Sequence, residues 1–210
     1  HGDIYLSLRI TGILDRMLDA GYRMAFLSNG DNLGAVIDER IYSFLKNEKL
    51  EYTMEVTPKS LADLKGGVLY RRMENGRAGH IELLETAQVE DAHLGDFQDV
   101  KRFAYFSINN LWVNLESLRD RLKKGGFNLS LIVNPKETDG EKVLQLETAM
   151  GSAVGQFEKT KVVIVPRRRF SPVKTCADLL ARRSDAAVLD PSDLALVLHP
   201  DRRDEPIIVL

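Results

Sequence analysis

Cysteine is almost missing. Cys176 is the single cysteine in 210 residues, which excludes an internal disulfide and a cysteine-based metal cluster. That scarcity predicts a reducing, cytoplasmic setting. Long hydrophobic runs are missing too, since no stretch approaches the roughly 18 apolar residues of a membrane span. The first residues, His1-Gly2-Asp3, lack a basic-then-apolar leader, so no signal peptide is expected. Net charge is only −2, which offers no electrostatic reason to expect nucleic acid or an anionic membrane surface as a partner. Repeats and low-complexity segments are absent. His1, His80, His93 and His199 show no metal-ligand spacing. Ser28, Ser107 and Cys176 have no evident base beside them. An initiating Met is missing as well, so the chain is expected to be part of something longer.

What is present is an ordinary globular composition, 44% hydrophobic and 29% charged, enough for a substantial core. Ile4, Leu8, Ile10, Ile13, Leu14, Met17 and Leu18 recur at near-helical spacing, with Gly21 as a C-cap. Met24–Leu27 reads as a short buried strand, and helical spacing resumes over 34–49. Tyr52–Thr57 alternates like a strand. Val68–Arg71 and His80–Glu85 flank Asn75-Gly76, a hairpin signal. Phe103–Ser107 is an aromatic strand running toward Asn109-Asn110. Leu115, Leu118 and Leu122 mark a helix stopped by Gly125-Gly126. Leu129–Val133 is a strand closed by Asn134-Pro135, and a helix from Glu147 carries Met150, Val154 and Phe157. Val162–Val165 is apolar on both faces, and Ala177–Arg183 is a short helix. Strands alternating with helices predict an α/β fold, with a mixed, mainly parallel sheet flanked by helices.

Four places join charge to a strand end or a glycine pair. In Ser28-Asn29-Gly30-Asp31-Asn32, Asp31 is a hard oxygen donor at a strand's carboxyl end, suited to Mg²⁺ that also touches a phosphate. A plain turn with a helix N-cap explains the same residues. Lys65-Gly66-Gly67 lets backbone N–H groups approach a ligand, or simply enters a hairpin. Glu85 and Asn109-Asn110 offer the donors and acceptors that sugar hydroxyls need, although Asn109-Asn110 also reads as a turn. Arg167-Arg168-Arg169, with Lys174 beyond, reads as a phosphate clamp following a buried strand. This inventory suits a reaction driven by positioning and charge neutralisation, such as nucleotidyl transfer, rather than acyl transfer by a triad.

Several segments together resemble one family. His1-Gly2-Asp3-Ile4-Tyr5, Leu27-Ser28-Asn29-Gly30-Asp31-Asn32-Leu33-Gly34, Ala62-Asp63-Leu64-Lys65-Gly66-Gly67, Glu85-Thr86-Ala87-Gln88-Val89, Asn109-Asn110-Leu111-Trp112, Leu131-Ile132-Val133-Asn134-Pro135-Lys136, Gln145-Leu146-Glu147-Thr148-Ala149-Met150-Gly151 and Val165–Thr175 are similar, in the same order, to UTP–glucose-1-phosphate uridylyltransferases (UDP-glucose pyrophosphorylases). The resemblance implies a Rossmann-like, GT-A-like nucleotidyltransferase domain, incomplete in this chain. It implies that glucose 1-phosphate attacks the α-phosphorus of UTP, with Mg²⁺, to give UDP-glucose and pyrophosphate. It assigns His1, Asn29, Gly66, Glu85 and Asn109 to substrate binding, Asp31 to the metal and α-phosphate, and Lys174 to the phosphates; Asp31 and Lys174 are the expected catalytic pair. Ile108, Arg168 and Cys176 depart from the residues usual in the family.

By the same resemblance, residues 1–198 are the latter part of the catalytic domain, and 199–210 lead toward a C-terminal β-helix. The family's Gly-rich UTP loop lies upstream of His1, so the isolated chain is expected to be inactive. Self-association into a homo-oligomer is expected from the family. Two alternatives stand beside this reading: a UDP-N-acetylhexosamine or broad UDP-sugar pyrophosphorylase, and a non-catalytic module that binds sugar nucleotides.

Overall fold

The computed structural model describes residues 1–210 except 61, 62, 126, 193, 194, 204, 205, 207, 209 and 210. The apolar C-terminal run expected as a linker therefore lies mostly outside the described residues, as does the second glycine of the Gly125 stop.

Tyr52 and Met54 face one side of a central sheet and Glu55 the other, which follows from the two-residue period of a strand. That sheet contains β1 (Met24–Leu27), β2 (Tyr52–Pro58), β5 (Tyr105–Asn114) and β8 (Thr160–Ile164), in the order β1-β5-β2-β8. On one face, Tyr52, Met54, Leu111 and Val113 join a core with α1 (Ile4–Ile10), α2 (Ile13–Asp19) and α5 (Leu115–Lys123). On the other, Phe26, Trp112 and Val163 pack with Ile41 and Leu45 of α3 (Glu39–Asn47). The α/β architecture with a mixed sheet is as expected. Its predominant direction is not: β2 pairs with β8 in parallel, but β5 pairs antiparallel with both β1 and β2. Alternation of strands and helices implied parallel crossovers. Instead, β5 returns between its neighbours after the excursion through β3 (Val68–Glu74), β4 (Arg77–Leu84) and α4 (Leu94–Gln98).

Other departures have local causes. The first helix is broken at Gly12, whose φ of +70° is a left-handed conformation that glycine adopts without penalty. The helix expected over 34–49 is α3, which begins only at Glu39, capped by the Asp38 carboxylate accepting from the Arg40 N–H at 2.9 Å. Residues 34–36 are held elsewhere: a Cβ at Gly34 would lie 2.5 Å from the Arg168 carbonyl oxygen. The expected strand ending at Asn134-Pro135 continues as β6 (Leu131–Thr138) and turns back into β7 (Glu141–Thr148), with Pro135 opposite Leu144. This is a two-stranded ribbon, where a missing N–H is tolerated at an edge. The helix expected from Glu147 is a 3₁₀ segment over Met150–Gln156. The chain closes with α6 (Cys176–Arg183) and the short pair β9 (Ala187–Leu189) and β10 (Leu196–Leu198).

Candidate functional site

Two cavities adjoin through His1. The first, of about 420 Å³, is lined by His1, Ile4, Ser28, Asn29, Gly30, Asp31 and Met150. The second, of about 250 Å³, is lined by His1, Glu85, Thr86, Asn109, Ile132, Glu147 and Thr148, with two alanines. Of the seven sequence-predicted residues, the structure brings five, His1, Asn29, Asp31, Glu85 and Asn109, to these walls.

Each arrives for a local reason. The N–H of Gly2 donates to the Thr148 carbonyl at 2.8 Å, which brings His1 beside the end of β7. Gly2 must be small, because a Cβ there would meet Thr148 Oγ1 and Leu129. The Tyr5 and Tyr52 hydroxyls lie 2.8 Å apart and 2.8 and 2.9 Å from the Met150 carbonyl, so that one donates to the other and its partner to the carbonyl. That buried knot ties α1 to the floor between the two cavities. Burial holds both tyrosines in the neutral, donating form by raising their pKa.

Asn109 owes its position to a break in the sheet. Ser107 pairs with Val56 and Leu111 with Met54, so Ile108, Asn109 and Asn110 together oppose Glu55. Asn109 has φ +54°, a left-handed conformation that asparagine tolerates better than most residues. Such bulges re-aim side chains. Here consecutive asparagines go to opposite faces: Asn109 reaches the cavity, and Asn110 enters a buried network. The turn expected at Asn109-Asn110 is thus a kink inside a continuous strand.

That network joins β2 and β5 to the segment after β8. Glu55 is fully buried and accepts from Arg169 Nε and Nη2, both at 2.7 Å, from Asn110 Nδ2 at 3.0 Å and from Trp112 Nε1 at 2.9 Å. Asn32 donates to Asn110 Oδ1 and the Arg169 carbonyl, and its own Oδ1 accepts from Gly34 N–H and Ser171 N–H. Asn32 therefore ties the Asp31 loop to the segment after β8. The N–H of Val173 then donates to the Asp31 carbonyl at 2.9 Å, which sets Lys174 one residue beyond. The Asp31 loop and the segment carrying Lys174, 143 positions apart by numbering, are thus joined by backbone hydrogen bonds. Lys174 is exposed, and the Thr175–Asp178 capping box opens α6 directly after it.

The arginine triplet does something else. Arg167 makes a two-pronged ion pair with Asp63 at 2.7 and 2.9 Å, Arg168 pairs with Asp190 at 2.7 Å, and Arg169 belongs to Glu55. The expected three-guanidinium phosphate clamp is replaced by three structural ion pairs. Gly66 packs on Phe106, where a Cβ would come within 2.6 Å of the ring. Its neighbour Gly67 lies against Glu85: a Cβ there would be 2.8 Å from Glu85 Oε2. Sequence reasoning missed Glu147 as a wall-forming residue. Glu147 was assigned to the start of a helix, and only the ribbon pairing shows which way it faces.

No cluster of three or more His, Cys, Asp or Glu able to hold a metal occurs among the described residues. Asp31 alone supplies a carboxylate to the larger cavity. That donor set fits Mg²⁺, which is commonly held by one or two carboxylates plus phosphate oxygens and water. Burial, with a smaller push from Glu147, raises the pKa of Glu85. No described helix is long and apolar enough to cross a membrane.

Comparison with known proteins gives a consistent picture. A family model described as UTP–glucose-1-phosphate uridylyltransferase matches residues 1–210. A UTP–glucose-1-phosphate uridylyltransferase of Musa acuminata is 47% identical over 189 residues, 90% of this chain and 39% of that protein. The structure of a UDP-glucose phosphorylase from Trypanosoma brucei is 40% identical with a TM-score of 0.85, covering 98% of this chain and 45% of that one. A Leishmania major UDP-glucose pyrophosphorylase variant, solved with UDP-glucose, is 42% identical with a TM-score of 0.83, covering 95% of this chain and 44% of that one. The chain thus spans about two fifths of the length of the curated relatives it matches.

Proposed function

Because the chain belongs to the UTP–glucose-1-phosphate uridylyltransferase family, we propose that it is the sugar-binding and phosphate-binding part of an enzyme forming UDP-glucose and pyrophosphate from UTP and glucose 1-phosphate. The observation that carries this reading is the continuity of the site. A cavity with Asn29 and Asp31 joins, at His1, a second with Glu85 and Asn109, while the Val173–Asp31 hydrogen bond holds the segment carrying Lys174 against the Asp31 loop.

In this reading the hexose lies in the smaller cavity, its hydroxyls donating to Glu85 and exchanging hydrogen bonds with Asn109. His1 and Asn29 hold the junction between sugar and phosphate. The phosphate oxygen of glucose 1-phosphate attacks the α-phosphorus of UTP in line, and the bond to pyrophosphate breaks. Lys174 offsets negative charge that develops on the phosphates. Asp31 would hold Mg²⁺ together with phosphate oxygens, and the bound ion would supply further charge neutralisation there. A cytoplasmic location and self-association belong to the same proposal. Their support is the lone cysteine and the exposed Leu131, Leu144 and Leu146.

The test is an assay of the intact parent with UTP and glucose 1-phosphate, following UDP-glucose and pyrophosphate. Release of both, dependent on Mg²⁺, is the expected result. Failure to form UDP-glucose, or kcat/KM for N-acetylglucosamine 1-phosphate above that for glucose 1-phosphate, would overturn it.

A further inference from the structure

The ribbon formed by β6 and β7 has two unlike faces. Residues that pair across an antiparallel ladder share a face. Ile132 opposite Glu147 lies on one, and both line the smaller cavity. Leu131, Val133 opposite Leu146, and Pro135 opposite Leu144 lie on the other; Leu131's partner Thr148, the last residue of β7, also reaches the cavity. Glu147 thus reaches the cavity because of its register, facing the same space as Glu85.

The two carboxylates are not neutralised there. Among the described residues neither Lys nor Arg lines that cavity, and His1 is its one basic side chain. Glu55, by contrast, is met by a guanidinium on both oxygens. Gln145 Nε2 donates to Glu147 Oε2 at 3.3 Å, which orients that side chain without cancelling its charge. Gly67 sits against the Glu85 carboxylate and keeps it at the wall. An ionised carboxylate only accepts hydrogen bonds, and a hydroxyl can donate one. A ligand with its own carboxylate would bring like charge against two others in a half-buried space.

We propose that Glu147 is a specificity-determining residue: with Glu85 it makes an acceptor wall that takes the hydroxyls of a neutral hexose and turns away hexuronic acid phosphates. The inference rests on the uridylyltransferase reading above and adds to it the residue that sets which sugar is refused. Gln at position 147 keeps the size of the side chain and adds a donor. It removes one negative charge from the wall.

The experiment measures kcat/KM of the full-length parent, wild type and Glu147→Gln, with UTP and either glucose 1-phosphate or glucuronic acid 1-phosphate. The expected result is a fall of about tenfold or more in the glucose-to-glucuronate ratio, carried mainly by KM, a size within reach of a single polar contact. Glu147→Asp, which keeps the charge, is expected to keep the preference. An unchanged ratio in Glu147→Gln, or an equal loss for both sugars, overturns the inference and leaves the uridylyltransferase reading standing. A wild-type parent inactive with every hexose 1-phosphate overturns both. Should the Gln variant not fold, equilibrium binding to the wild type decides: equal affinity for UDP-glucose and UDP-glucuronic acid overturns the inference, and a clear preference for UDP-glucose supports it.

Discussion

Glu55 and Glu85 sit on opposite sides of the same framework and live under opposite rules. Glu55 is enclosed and fully answered, with every oxygen met by Arg169, Asn110 or Trp112. Glu85 is only half-buried, opens onto a cavity, and faces another carboxylate rather than a cation. A satisfied buried ion pair organises structure. A desolvated charge without a countercharge is a mark of binding or catalysis. The adjacent residues Asn109 and Asn110 divide between the two environments, so a one-residue step along β5 separates architecture from chemistry.

The sharpest break in that comparison is Arg169→Met. It leaves Glu55 buried and unanswered, and should cost about 3–5 kcal/mol of unfolding free energy. Urea denaturation of the intact parent reads it, and a loss below about 1 kcal/mol would mean that Glu55 is not enclosed as described. Next comes Asp31→Ala, expected to lower turnover by roughly 10²–10³-fold, on the scale of losing one charge-stabilising group. Its effect on stability should stay within about 0.5 kcal/mol, as for other substitutions outside a core. Steady-state kinetics beside a melting curve separates the two.

Gly67→Ala probes the open side. The added methyl would press on Glu85, so KM for the sugar phosphate should rise about tenfold, or about 1.4 kcal/mol, with the fold intact. An unchanged KM would remove Gly67 from the wall. The smallest effect concerns pH. Glu85 has a folded-state pKa above the ordinary 4.5. The folded chain therefore binds more protons than the unfolded one between 4.5 and that raised value. Stability from this group is complete below 4.5 and is lost as pH rises through the folded value. Glu85→Gln should flatten that decline in a pH series of denaturation curves, whereas an unaltered slope would assign it to another group.

Much of this framework was legible beforehand. β2 shows its alternation, the β3–β4 hairpin its Asn75-Gly76 turn, and Asp31 its place after an apolar strand. The family resemblance pointed to all five residues that the two cavities share out. Other features depend on partners far along the chain. Arg167, Arg168 and Arg169 look like a ligand clamp until Asp63, Asp190 and Glu55 are placed, at separations of 104, 22 and 114 residues. Gly34 to Val36 carry helical spacing, but their backbone is held against the segment after β8 and by Arg169 donating to the Val36 carbonyl. Pro135 reads as a stop in isolation, and its pairing with Leu144 makes it a rung of the ribbon instead. Glu147 could be located on the wall only once that ribbon was known.

The ribbon's alternation has a consequence for how such a pocket can change over evolutionary time. A single residue inserted or deleted at the Asp139-Gly140 turn would slide one strand past the other. A slip of one position turns every side chain over, so Leu146 would replace Glu147 opposite Ile132. One short indel could thus exchange a charged lining for an apolar one while leaving Asp31 and Lys174 untouched.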